Sequence, residues 1–142
     1  MLSALVALFL LAPSGYPATA VPGRPALVRP IVEPAALCAA DPQLVVSVTG
    51  FTPPRSGSAS LHVSLRAPDG RTSHLGVAGI HPHQAFAAAS LDDAQHFGFA
   101  VPRAAVRQRV VVVVALPQPA AGASVTIGEA RITPAPQQSC GG

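Results

Sequence analysis

The chain has no lysine, no asparagine and no tryptophan, and it holds a single tyrosine, Tyr16, and a single methionine, Met1. Each absence closes off a class of function. Without asparagine there is no N-glycosylation sequon. Nine dispersed arginines and a net charge of +3, with almost no aromatics between them, form neither a basic stripe nor a stacking platform. Nucleic acid is therefore not expected as a partner. One methionine at position 1 cannot build a thioether copper(I) site. Nucleophilic catalysis lacks a G-x-S-x-G elbow, and Ser56, Ser58 and Ser60 fall in a Gly/Ser turn with no evident base. The one adjacent carboxylate pair, Asp92 and Asp93, cannot converge on a single substrate atom from positions i and i+1. "GVAG" (76–79) lacks both the spacing and the strand-to-helix context of a phosphate cradle. The all-arginine, Ala/Pro/Val-rich composition suits a bacterial genome of high GC content, which by itself explains the missing lysine.

What is present begins with an apolar run. Residues 2–12, "LSALVALFLLA", have signal-peptide length and are too short to cross a bilayer as a helix. Pro13, Gly15 and Pro17 break it, and Ala18-Thr19-Ala20 supplies small residues at the positions a signal peptidase needs. No Lys or Arg precedes the run, so only the α-amino group is positive there. The expected organisation is a signal peptide at 1–20, a Pro-rich extended linker at 21–37 and one folded domain at 38–140. Export would place the chain outside the cytoplasm, secreted or periplasmic, with no membrane span in the mature chain.

The two cysteines, Cys38 and Cys140, flank that domain. Bridged, they would close a loop of about 100 residues, worth roughly 4–5 kcal/mol in the chain-entropy view. The alternative is two free thiols in frayed ends, and export favours the bridge.

Between the cysteines the pattern is β. "SASLHVSLRA" (58–67) alternates, with Leu61, Val63 and Leu65 on one face and His62, Ser64 and Arg66 on the other. Pro68-Asp69-Gly70 then signals a turn, and "RTSHLGVAGI" (71–80) is its hairpin partner. Further strands are expected over 43–51, 95–102, 109–117 and 123–133, with "RVVVVVALP" a central strand buried on both sides. Short helical turns fit only 84–95 and 102–107. The fold class is all-β: a single small antiparallel sandwich of about six to eight strands, jelly-roll or Ig-like, after the signal segment.

The densest chemistry is in "GIHPHQAF" (79–86), where His81 and His83 flank Pro82. An H-x-H on extended chain points both rings to one side, a spacing used in copper and zinc sites. A third ligand would come from His74, His96, Asp92 or Asp93. The competing reading is a surface loop, with Ile80, His81, His83 and Phe86 forming a partner-binding edge and no cofactor bound.

The order of segments "LHVSLRAP" (61–68), "SHLGVAGIHPHQAF" (73–86), "QHFGFAVPRA" (95–104), "RVVVVVAL" (109–116) and "GASVTIGEARI" (122–132) resembles the C-terminal β-sandwich domain of tyrosinases and plant-type polyphenol oxidases. The matching positions are Gly76 to His83, against a "GxFxxxPH"-like segment, and Val125 to Ile132, against a closing "VTIGxxxI" strand. "LHVSL" stands where the plant domain has "KFDV". The resemblance spans roughly residues 43–133. It implies a non-catalytic sandwich of the kind that packs over the dicopper centre of a separate helical domain. This chain would then be a free-standing exported version, acting in trans on a tyrosinase-like copper oxidase or on another exported protein. In that family the positions of His81 and His83 match only a loop.

Overall fold

Alternation along "SLHVSLR" becomes a strand because it lets one face leave water while the other stays wet. The computed structural model, which describes residues 15–80, 84–117 and 120–135, shows this at β5 (Ser60–Arg66), where Leu61, Val63 and Leu65 are buried and the residues between them are half-exposed. The other long strands are β4 (Pro42–Thr52), β6 (Thr72–Gly79), β8 (Gln95–Ala100), β9 (Val111–Ala115) and β10 (Ser124–Pro134). All six lie where the hydrophobic pattern placed them. Four short strands join them among the described residues: β1 (Ala18–Ala20), β2 (Ala26–Val28), β3 (Ile31–Val32) and β7 (Phe86–Ala87).

The ten strands form two sheets. The larger runs β1-β10-β4 and then divides, with β7 and β8 pairing successive stretches of β4, while β3 lies parallel along the end of β10. The smaller runs β2-β9-β5-β6, all antiparallel. The sheets face each other, with β1 beside β2 at one margin and β8 beside β6 at the other. Between them sit Leu44, Val46 and Val48 of β4, Val112 and Val114 of β9, and Ile127 and Ile132 of β10, all fully buried. Each such side chain contributes about 1.5–3 kcal/mol by leaving water. Fold class is thus the all-β sandwich that the alternation implied.

The β5–β6 turn works as its residues dictate. Gly70 takes φ +91, the Asp69 carboxylate accepts the Arg71 amide at 2.9 Å, and the Gly70 amide donates to the Ala67 carbonyl at 2.9 Å.

Three expectations are corrected. Residues 21–37 are not a free linker: β2 buries Ala26, Leu27 and Val28 against β9, and β3 leads into a 3-10 turn at Pro34–Leu37 that buries Ala36. Prolines at 22, 25, 30 and 34 cut this stretch into pieces too short to show a period, yet each piece still has an apolar side to bury. The second correction concerns Ala18-Thr19-Ala20, which forms β1 on the edge of β10 with Ala18 and Ala20 buried, so a cut after Ala20 would strip that strand away. The third concerns β9, which is central but not buried on both sides. Val112 and Val114 point into the core, while Val111, Val113 and Ala115 are half-exposed on the outer face. Of the two helical segments expected, 102–107 is a 3-10 turn at Arg103–Arg107, pinned by Arg107 Nη2 donating to the Leu37 carbonyl at 3.1 Å. Within 84–95 the helical turn is a 3-10 turn at Leu91–Asp93 entered from Ser90, and the short strand β7 precedes it.

Candidate functional site

The strand β6 carries an extra residue at Leu75: Ser64 pairs with His74, but Val63 pairs with Gly76. A bulge of this kind reverses which face later residues use. His74 and Ile80, six positions apart, would share a face on a regular strand. Instead His74 is exposed on the outside, and Ile80 is 2% exposed in the core. Gly76 turns inward as well, and a Cβ there would stand 3.1 Å from the Phe99 ring. Ile80, expected on the partner-binding edge, is therefore buried in the core and closed to a partner. His81, Pro82 and His83 lie outside the described residues, and so does Cys140 with its expected bridge to Cys38.

Beyond that loop, Phe86 is half-buried, with its ring centroid 6.1 Å from that of Phe51 across the β4–β7 pair. The chain from Gln84 to Ala89, together with Asp93 and Gln95, lines an open groove of about 470 Å³. Ala85, Ala87, Ala88 and Ala89 supply half of its lining residues with small side chains. On the other side of the same segment, Ala88 and Ala89 border a second depression with Tyr16, Thr49, Leu91 and Gly128.

The remaining histidines are spread over both sheets. His74 sits five residues back along β6, about 16 Å of strand rise from Gly79 where the His81-Pro82-His83 segment follows. Its neighbour is His62 on β5, with ring centroids 6.2 Å apart. His96 lies on the outer face of the larger sheet, where its Nδ1 is 2.8 Å from Ser47 Oγ. Of the four residues expected as a third ligand, Asp93 lines the groove beside Gln84. Among the described residues no three His, Cys, Asp or Glu side chains gather into a metal-binding group.

His96, Ser47 and Glu129 stand in one cross-strand row, since Ser47 pairs with His96 on one side and Glu129 on the other. The row resembles a nucleophile with a base and an acid, but it is wired differently. Ser47 is 3% exposed, so no substrate carbonyl reaches its Oγ. The Glu129 carboxylate is taken by Arg131, whose Nε approaches it at 3.1 Å, and Arg131 Nη1 also lies 3.8 Å from Glu33. The bond to Glu129 holds the Arg131 guanidinium above its ordinary pKa. Above the same row, the Tyr16 hydroxyl accepts the Ala130 amide at 3.3 Å and donates to the Arg29 carbonyl. Burial pushes the Tyr16 phenol above its usual range, and the nearby Glu129 charge adds to the rise, against the pull of the Ala130 bond and Arg131. This cluster ties β1, β3 and β10 together.

No protein-family model, curated protein or solved structure matches this chain. The likeness to tyrosinase capping domains therefore rests on segment order and the closing "VTIG" strand alone.

Sequence reasoning missed two features of this surface. The pairing of His62 with His74 depends on the hairpin register, and that of Ser47 with His96 on contacts 49 residues apart. Only the outward position of His62 was signalled locally, by the alternation of "LHVSL".

Proposed function

We propose that this chain is an exported, non-catalytic accessory module that binds another protein at the groove beside Phe86. The observation that carries the reading is the groove itself, an open trough lined by four alanines beside Phe86 at the margin of the sandwich. Such a surface suits an extended partner segment, which gains main-chain hydrogen bonds where side chains do not stand in the way. The partner proposed from the family resemblance is a tyrosinase-type copper oxidase, capped in trans. Export rests on the apolar run at 2–12, with the cut set ahead of Tyr16 rather than after Ala20. Ala12-Pro13-Ser14 offers small residues at the required spacing there, and β1 is then kept.

The test is sedimentation velocity of the purified chain mixed with a tyrosinase-type oxidase encoded in the same genome. A joint boundary is expected, and the exposed-groove variant Ala85→Arg/Ala89→Arg should abolish it. Independent sedimentation, or a joint boundary that the variant leaves intact, overturns the reading.

A further inference from the structure

We infer that His62 and His74 form a two-imidazole site for a borderline divalent metal ion, Cu²⁺ above all, on the outer face of the smaller sheet. The rings belong to neighbouring strands, with centroids 6.2 Å apart and planes at 47°. An imidazole nitrogen binds such an ion at about 2.0–2.1 Å, which puts each ring centroid roughly 3.2 Å from the metal. One ion therefore spans two centroids up to about 6.4 Å apart, so the pair already stands within reach.

Two independent features support the assignment. The bulge at Leu75 lets His74 keep the outer face beside His62 while Gly76 and Ala78 of the same strand, and Ile80 just after it, turn to the core. Bulges often serve to re-aim one side chain in this way. In addition, Ser60 Oγ lies 3.4 Å from His62 Nε2. In the tautomer whose Nε2–H donates to that hydroxyl, His62 Nδ1 keeps the lone pair a metal needs, the way an outer-shell group can fix a ligand's tautomer.

The chemistry of the pair selects the ion. Two neutral nitrogens without a carboxylate suit Cu²⁺, Ni²⁺ or Zn²⁺, with Cu²⁺ bound most tightly, and do not suit Mg²⁺ or Ca²⁺. Among the described residues no third His, Cys, Asp or Glu joins them, so water fills the remaining positions and the ion stays exchangeable. Val77, the cross-strand partner of His62, is 53% exposed beside the pair, which leaves the ion open to solvent and to an incoming ligand.

The experiment is a titration of the full chain with Cu²⁺ alone, followed by calorimetry and by electron paramagnetic resonance. The expected result is one Cu²⁺ per chain with nitrogen couplings from imidazole. His62→Ala and His74→Ala should each remove it as completely as the double variant, because a chelate needs both arms. His81→Ala/His83→Ala should leave it unchanged. Binding that survives in the His62→Ala/His74→Ala variant, binding lost in His81→Ala/His83→Ala, or no binding by the unaltered chain overturns the inference. Both histidines lie on the surface, so circular dichroism of the variants should match the parent. Neither residue lines the groove beside Phe86, so failure here leaves the protein-binding reading standing, and the reverse also holds.

Discussion

The hydroxyl of Tyr16 accepts the amide of Ala130 at 3.3 Å, a contact that joins residues 114 apart in sequence. Through it the first described segment is fixed to β10, just ahead of β1. Tyr16 is also the only tyrosine in a chain without tryptophan, so the tyrosine ultraviolet signal reports the surroundings of this one side chain.

Stability above neutral pH should depend on that phenol. Burial raises its folded pKa above the unfolded value of about 10. The folded state therefore holds its proton where the unfolded state has lost it. The resulting stabilisation is complete below the unfolded pKa and is lost as pH rises through the folded one. Thermal melts of the full chain should fall beyond about pH 10, and Tyr16→Phe should remove that fall. Identical alkaline profiles for the two proteins would contradict the contact.

Cut position is testable by intact mass. Under the proposed export, the mature chain should retain Tyr16 and β1, giving tyrosine absorbance near 280 nm. A mature chain that starts at Val21 would show that the fold tolerates loss of β1 and that the Ala18-Thr19-Ala20 signal is used.

The Cys38–Cys140 bridge is proposed on a topological relation. Ala135 donates to the Asp41 carbonyl at 3.1 Å, which brings the end of β10 beside the chain three residues from Cys38. The five residues that follow can extend by about 16 Å, enough to return Cys140 to Cys38. A mass two units below the reduced value is expected for the exported protein. Reduction should lower its unfolding free energy by roughly 4–5 kcal/mol, less any strain in the bridge. Two titratable thiols in freshly exported protein would exclude the bridge.

Core packing sets a scale for these effects. Leu61 is fully buried between the sheets, and Leu61→Ala should cost about 2–5 kcal/mol in denaturant unfolding. A loss below about 1 kcal/mol would mean that the facing sheets are not packed as described.

Much of this architecture was legible along the chain, and the reasons for the exceptions are physical. Alternation in "SLHVSLR" and "QHFGFA" marks a strand with one wet face, and that signal needs five or more residues to register. β2 and β3 offer three and two residues between prolines, so they read as linker although Val28 is fully buried. Around the candidate site, Phe86 was recognisable as an aromatic near a sheet margin. Ile80 was read with the loop it leads into although it is buried, and the bulge at Leu75, which inverts the parity of the residues after it, was not legible. No local pattern distinguishes a bulged strand from a regular one when the residue inserted is another apolar residue.

The most direct test of the account is kinetic. Under the proposed capping, diphenol turnover by the tyrosinase-type oxidase should fall when the full chain is added at equal molar ratio, because a cap over the dicopper centre would close it to substrate. The Ala85→Arg/Ala89→Arg variant should leave turnover at its uncapped value. Turnover that ignores the chain at every ratio, or falls equally with the variant, would contradict a cap that docks through the groove beside Phe86.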